Sequence, residues 1–244
     1  IVNPVVEGSV RAKQRRRGDD GPNQVLPVLI HGDSAFIGLG VNQATFNLSQ
    51  TRGYTTGGTV HLVINNQIGF TTSDLRDMRS SAHCTDLAKM VEAPIFHVNG
   101  DDPEAVCYVI QAALDYRKAF HKDVVIDLVC FRKLGHNEGD DPFLTQPMMY
   151  RKVSQHPGTR ALYADKLLKE GVIKADEAEA YIQEYREALD KGEQVEQTRL
   201  TDYESKHRVD WSKYSGQDWR EAVSSGLPAA DIQRLADKFT EVPQ

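Results

Sequence analysis

The chain has few cysteines, no long apolar run and no excess of positive charge, and each absence excludes a class of protein. The three cysteines among 244 residues include no C-x-x-C pair, so neither a disulfide framework nor a thiolate zinc site is supported. No apolar stretch approaches the roughly 18 residues that suggest a membrane span. A formal net charge of −6 disfavours general nucleic-acid binding. The content of 40% hydrophobic and 26% charged residues is typical of a folded globular protein.

Polarity and turn residues divide the chain into three predicted segments. It begins Ile-Val-Asn-Pro, without an initiator Met or a secretory signal pattern, and we expect it to be a piece cut from a longer protein. Residues 1–24 are basic and polar and end in a turn-rich run, which predicts a lead-in loop. Residues 25–150 are predicted to form an α/β domain. Residues 151–244 are predicted to be a helical connector followed by an irregular tail.

Four short apolar runs, most of them rich in Val and Ile, predict β-strands. They are Val25–His31, Thr59–Asn65, Pro94–Val98 and Val124–Phe131. The last run is almost continuously apolar, as expected for a strand that is buried on both faces. Because helical patterns lie between the runs, the sequence predicts a doubly wound α/β fold with a mainly parallel sheet.

The clearest helix pattern covers Pro103–Phe120. Asp102 can cap its N-terminus, Pro103 suits the first helical position, and an apolar stripe that includes Ile110 and Leu114 would face the sheet. Further helices are predicted at Gly40–Thr51, Cys84–Val91, Thr159–Glu170, Asp176–Asp190 and Ala229–Phe239.

Polar residues follow the first two predicted strands. Asp33 comes just after the first strand and Asn66 just after the second. In an open parallel sheet, ligands bind beyond the carboxyl ends of the strands. Carboxylate and amide oxygens suit Mg2+, which completes its shell with phosphate oxygens and water. The pattern therefore indicates a magnesium-bridged diphosphate, although a helix cap at Asp33 and a simple turn at Asn66 are alternative interpretations.

Gly32-Asp33-Ser34 followed by Asn65-Asn66 resembles the thiamin diphosphate motif, a Gly-Asp-Gly with a later Asn-Asn. Longer stretches resemble the 2-oxoglutarate dehydrogenase decarboxylating component, from about residue 1 to 200 and more loosely to the end. They are IHGDSA at 30–35, FNLSQTRGY at 46–54, TGGTVHLVINNQIGFTTS at 56–73, CTDLAKMVEAPIFHVNGDDPEAV at 84–106, DLVCFRKLGHNE at 127–138 and TQPMMY at 145–150.

The resemblance implies the thiamin diphosphate-binding fold and a specific set of ligands. It places Mg2+ between Asp33, Asn66 and the backbone carbonyl of Ile68, with Ser34 and Ala35 beside the diphosphate. The chain departs from the generic motif in two ways, since Ser34 replaces Gly and Asn66 follows Asp33 by 33 positions. The glutamate that activates thiamin and the catalytic histidines of the family have no counterpart here, so no catalytic residue is assigned.

The same resemblance implies a function for the intact enzyme. It would decarboxylate 2-oxoglutarate with thiamin diphosphate and pass the succinyl group to a lipoyl group on dihydrolipoyl succinyltransferase. Dihydrolipoyl dehydrogenase would complete the multienzyme complex, and the decarboxylating component would be a homodimer. The implied location is the cytoplasm, or the mitochondrial matrix in a eukaryote.

Two other functions are compatible with parts of the pattern. The chain could be a non-catalytic module that only anchors the cofactor. It could also be a GDS-type serine hydrolase with Ser34 as nucleophile, but no histidine follows an Asp by three positions, as the base of that class requires. Among other polar residues, we interpret His31 as a core residue, Cys84 as an inert thiol, and the loop around His136 as a segment near the cofactor channel.

Overall fold

The structure is a computed structural model that describes residues 1–70, 72–194, 210–222 and 224–242. It divides into two compact units, Ile1–Arg186 and Glu187–Gln244. The first unit contains the sheet and every predicted site residue. The predicted domain boundaries after residues 24 and 150 stay predictions.

The sheet has four parallel strands in the order β1-β2-β4-β3. Their bounds are Val28–Gly32 for β1, Val60–Asn65 for β2, Ile95–Asn99 for β3 and Val124–Val129 for β4. Gly32 pairs with Ile64, and Asn65 pairs with Val129. The residues that follow β1, β2 and β4 therefore lie at the same edge of the sheet. The predicted parallel α/β fold is confirmed.

The described residues form nine α-helices and three short 3₁₀ helices. The α-helices are α1 Asn3–Arg16, α2 Gly21–Gln24, α3 Asp33–Gly38, α4 Gly40–Leu48, α5 Pro103–Phe120, α6 Pro147–Val153, α7 Thr159–Lys169, α8 Glu177–Asp190 and α9 Ala229–Thr240. The 3₁₀ helices are Leu75–Asp77, Cys84–Val91 and Ser212–Tyr214.

Apolar clusters cover both faces of the sheet, as a doubly wound fold requires. One cluster contains Phe36, Phe46, Val63, Cys84, Leu87, Ala88, Ala93 and Val125. The other contains Val60, Val98, Ala113, Val124 and Ile126. Since Val124 and Val125 are consecutive in β4 and belong to different clusters, side chains alternate between two buried faces. This explains why the sequence of β4 is nearly continuous in apolar residues.

Helix α5 has the predicted bounds. The Asp102 carboxylate accepts a hydrogen bond from the Ala105 N–H across 3.1 Å, and His121 ends the helix in the left-handed region with φ of 52°. Leu114 packs against the cluster of Val60 and Ala113. Ile110 is 37% exposed and does not pack against that cluster, so its predicted place on the buried stripe is wrong.

The predicted loop over residues 1–24 is wrong, because Asn3–Arg16 form α1 and Gly21–Gln24 form α2. Helix α1 is held in place more by polar contacts than by an apolar stripe. The buried amide of Gln14 donates to the carbonyl oxygens of Val25 and Thr56, at 2.8 and 2.7 Å. These partners lie far along the chain, so the local sequence gives no sign that they anchor a helix.

The predicted helices beyond residue 150 are confirmed in α7, α8 and α9, with ends that differ by one residue. Trp211 and Trp219 are both exposed, and they flank the short 3₁₀ helix Ser212–Tyr214. The part of the predicted tail at 195–209 lies outside the described residues. Among the residues that the structure describes, no helix is both long and apolar enough to cross a membrane.

Candidate cofactor site

Asp33 is the first residue of α3, immediately after β1, and its side chain is buried. Its Oδ2 atom is inaccessible to solvent and has no hydrogen-bond partner among the described residues. Burial raises the pKa of this carboxyl above its ordinary value, while the backbone N–H of Asp33 and then the charge of Arg79 act in the opposite direction. An unpaired carboxylate oxygen in such surroundings is costly unless a cation satisfies it. The environment of Asp33 therefore fits the predicted metal ligand.

The loop after β2 approaches the start of α3. The hydroxyl of Ser34 donates a hydrogen bond to the carbonyl oxygen of Ile68 across 3.3 Å. A side chain at Gly69 would begin 3.1 Å from the Ser34 oxygen, so the absence of a side chain permits this approach. The structure thus brings together Ser34 and Ile68, two of the predicted site residues. Ala35 lies next in α3 and is exposed.

Asn66 lies in a tightly folded loop whose backbone is held by side-chain amides. Its Oδ1 atom accepts the N–H of Ile68 across 3.2 Å, and the Asn65 Oδ1 atom accepts the N–H of Gln67, also across 3.2 Å. Gln67 and Phe70 adopt left-handed conformations, with φ of 64° and 55°, which are uncommon for residues with such side chains. These bonds form a turn at Asn66, and the Asn66 oxygen keeps a second lone pair for a cation.

Sequence analysis did not identify Asp127 as part of this region. Its side chain is buried in β4, where Oδ1 accepts a hydrogen bond from the Asn65 amide across 3.0 Å and Oδ2 lies 2.9 Å from His97 Nδ1. The Asp127 charge contributes to the raised pKa of Asp33. The sequence did contain one sign of this role, a single carboxylate in an otherwise apolar predicted strand. A carboxylate in such a strand is buried and must have polar partners.

The segment around His136 lies against the loop that follows β2. The rings of His136 and Phe70 meet edge to face, with centroids 4.6 Å apart. Arg132 donates to the His136 carbonyl oxygen across 2.9 Å, and the His136 N–H donates to Asp140 across 2.8 Å. These contacts place the segment beside the loop that carries Asn66 and Ile68, and its position near a cofactor channel stays a prediction.

Two residues interpreted as structural are buried in the core. His31 Nε2 lies 3.1 Å from His61 Nδ1, and burial, reinforced by His61, lowers the pKa of His31 to about 4. Burial likewise raises the pKa of the Cys84 thiol to about 12. Because the thiolate is the reactive form of cysteine, Cys84 is unreactive at neutral pH.

Comparison with known proteins defines the class to which this sheet and site belong. The sequence model of the family described as dehydrogenase E1 component matches residues 1–203, and the chain belongs to this family. Thiamin diphosphate is the general cofactor of the family.

Individual relatives carry more specific names. The 2-oxoglutarate dehydrogenase E1 components of Cupriavidus necator and Azotobacter vinelandii are 54% and 52% identical over all 244 residues of this chain. A multifunctional 2-oxoglutarate metabolism enzyme of Mycolicibacterium vanbaalenii is 53% identical over 194 residues, which are 78% of this chain and 15% of that protein. The chain spans 26% of the length of the first two relatives. The resemblance stated from the sequence is confirmed.

Proposed function

We propose that the chain is the diphosphate- and Mg2+-binding segment of a 2-oxoglutarate dehydrogenase decarboxylating component. The support is the similarity along the whole chain to relatives of that name, together with polar groups at the carboxyl edge of a parallel sheet. In folds of this type, that edge is where ligands bind. The site on this chain supplies binding and orientation, while groups outside residues 1–244 complete the active site.

The buried, unpartnered Oδ2 atom of Asp33 is the observation that carries the proposal. It gives a hard anionic ligand of the kind that Mg2+ prefers. Asn66 Oδ1 and the carbonyl oxygen of Ile68 are the other two proposed ligands, and both are neutral oxygens on one loop. Ser34 and Ala35 would lie beside the diphosphate. The Ser34–Ile68 hydrogen bond shows that the start of α3 and the loop after β2, which carry the two halves of this ligand set, are in contact.

Thiamin diphosphate, when bound, would supply the carbanion chemistry that 2-oxo acid decarboxylation requires. The residues of this chain have a different task. Asp33 would contribute the negative charge that binds Mg2+. The Asn65–Asp127 hydrogen bond fixes the loop that carries Asn66 and Ile68, so that these oxygens need little reorganisation on binding.

The substrate and partners follow from the same proposal. The intact enzyme would act on 2-oxoglutarate and transfer the succinyl group to the lipoyl domain of dihydrolipoyl succinyltransferase, within a complex that includes dihydrolipoyl dehydrogenase. The decarboxylating component would act as a homodimer. The alternative hydrolase function has no support in the geometry, because the hydrogen bond of the Ser34 hydroxyl is directed to the Ile68 carbonyl oxygen.

Turnover of 2-oxoglutarate with an artificial electron acceptor tests the proposal. The intact polypeptide should be active with thiamin diphosphate and Mg2+, and Asp33→Ala should lose most of that activity. Asp115→Ala is the matched control, because Asp115 is an exposed carboxylate on α5 and its removal should leave turnover unchanged. An Asp33→Ala enzyme with the activity of the control would contradict the proposed role of the site.

A further inference from the structure

Three side chains that can ligate metals converge near the carboxyl edge of the sheet, apart from the proposed Mg2+ ligands. His83 precedes the 3₁₀ helix Cys84–Val91, His97 lies on β3 and Asp127 lies on β4. One ligating atom from each residue lies within 4.8 Å of the other two. The three residues come from separate segments, so the fold and not local sequence creates the cluster.

The cluster combines a fixed buried ligand with two accessible ones. Asp127 is buried, and its Oδ2 atom lies 2.9 Å from His97 Nδ1. The His97 side chain is 42% exposed, and His83 is also exposed. The two imidazole rings adjoin, with centroids 4.6 Å apart. Further ligand positions on a metal held here would therefore be open to water.

We propose that His83, His97 and Asp127 form a second cation site, specific for a divalent transition metal such as Zn2+. Two imidazole nitrogens and one carboxylate oxygen suit Zn2+ and its neighbours in the first transition row, whereas Mg2+ prefers an all-oxygen set. In tetrahedral Zn2+ sites, metal–ligand distances near 2 Å place ligand atoms roughly 3.3 Å apart. Rotation of the exposed His83 side chain can close the remaining distance.

Neighbouring residues hold Asp127, the buried member of the cluster, in orientation. The second carboxylate oxygen of Asp127 accepts the Asn65 amide across 3.0 Å, and the backbone N–H of His83 donates to Asp86 across 3.0 Å. The Asn65 bond to the Asp127 carboxylate is of the kind that fixes ligand orientation in metal sites, whereas the His83–Asp86 bond fixes the backbone at His83 and not its imidazole.

Titration of the intact polypeptide with Co2+ tests the site, because Co2+ substitutes for Zn2+ and its visible absorption reports nitrogen and oxygen ligands. Excess Mg2+ in the buffer keeps the proposed oxygen-ligand site filled. We expect one equivalent of Co2+ to bind, and Zn2+ to displace it. Absence of Co2+ binding under these conditions would overturn the proposal and leave His97–Asp127 as a hydrogen-bonded pair alone.

Variants identify the ligands. His83→Ala and His97→Ala should each weaken Co2+ binding by at least about tenfold, and both residues are exposed enough for the fold to tolerate the change. His121→Ala is the matched control, since His121 is an exposed histidine outside the cluster. Asp33→Ala should weaken Co2+ binding much less than either histidine variant does, because Asp33 acts on this cluster only through its charge, and this difference separates the site from the proposed Mg2+ site. Unaltered Co2+ binding in both His83→Ala and His97→Ala would refute the assignment.

Discussion

The side-chain amide of Asn65 donates a hydrogen bond across 3.0 Å to the carboxylate of Asp127, which lies 62 positions further along the chain. Both residues are buried, and the bond joins the end of β2 to β4. Asn66 follows directly in the loop that carries the proposed metal ligands. The orientation of that loop therefore depends on a contact between neighbouring strands.

Asn65→Ala should destabilise the protein by about 1–3 kcal/mol, because it leaves a buried carboxylate oxygen of Asp127 without its partner. The free energy of unfolding, measured by chemical denaturation, checks this value. Asn47→Ala is the control, since Asn47 is exposed on α4 and its loss should change stability by less than about 0.5 kcal/mol. Equal stabilities of the two variants would show that the Asn65–Asp127 bond contributes nothing.

Leu114→Ala should cost about 2–3 kcal/mol, near the lower end for large-to-small core changes, because Leu114 is only partly buried. Ile110→Ala removes a side chain of similar size from the same helix at a position that is 37% exposed, and it should cost less than about 1 kcal/mol. Thermal or chemical denaturation of the pair provides the comparison. A larger cost at Ile110 would mean that α5 presents a different face to the sheet.

Stability should fall as the pH drops from about 6.5 towards 4, in part because of His31. Its pKa is about 4 in the folded protein, compared with an ordinary value of 6.5. Between these two pH values, His31 is therefore protonated in the unfolded chain but not in the folded protein. The contribution of His31 to the free energy of unfolding is complete above pH 6.5 and diminishes at lower pH, by at most about 1.4 kcal/mol per pH unit.

His31→Gln tests this linkage, because glutamine retains polar contacts but does not titrate. The free energy of unfolding should decrease less for the variant than for the wild type between about pH 7 and about pH 5. The difference between the two proteins isolates His31 from carboxyl groups that titrate nearby. Identical decreases would show that His31 is freely protonated in the folded protein.

Ser34→Ala should retain Mg2+-dependent cofactor binding and most turnover of the intact enzyme. The hydroxyl makes a long hydrogen bond of 3.3 Å to Ile68, and its loss should cost no more than about 1 kcal/mol. A nucleophilic serine would behave differently, with a rate loss of several orders of magnitude. A loss of about a thousandfold in turnover with intact cofactor affinity would assign a chemical role to the hydroxyl.

The strands and α5 could be predicted from the sequence because their determinants are local. Each of the four apolar runs overlaps an observed strand, although β1 and β3 end one residue beyond their runs. Asp102 with Pro103 marks the start of α5. The position of Asp33 at the end of β1 could be predicted for the same reason. Its burial and the missing partner of Oδ2 required the structure.

What could not be predicted depends on partners far away in sequence. The buried side of α1 is polar at Gln14, whose carbonyl partners lie 11 and 42 positions away, so no apolar periodicity reveals the helix. Asp127 has partners 30 and 62 positions away. Its role in orienting the Asn65–Asn66 loop depends on the strand order, in which β4 lies between β2 and β3, and the local sequence does not determine that order.

The most direct test of the proposed site is calorimetric titration of thiamin diphosphate into the intact enzyme, with and without Mg2+. We expect binding by the wild-type enzyme to depend on Mg2+, because the proposed role of the metal is to link the diphosphate to Asp33, Asn66 and the Ile68 carbonyl. In Asp33→Ala, the Mg2+-dependent part of binding should disappear, while Asp115→Ala should bind as the wild type does. Mg2+-dependent binding of undiminished affinity in Asp33→Ala would contradict the account.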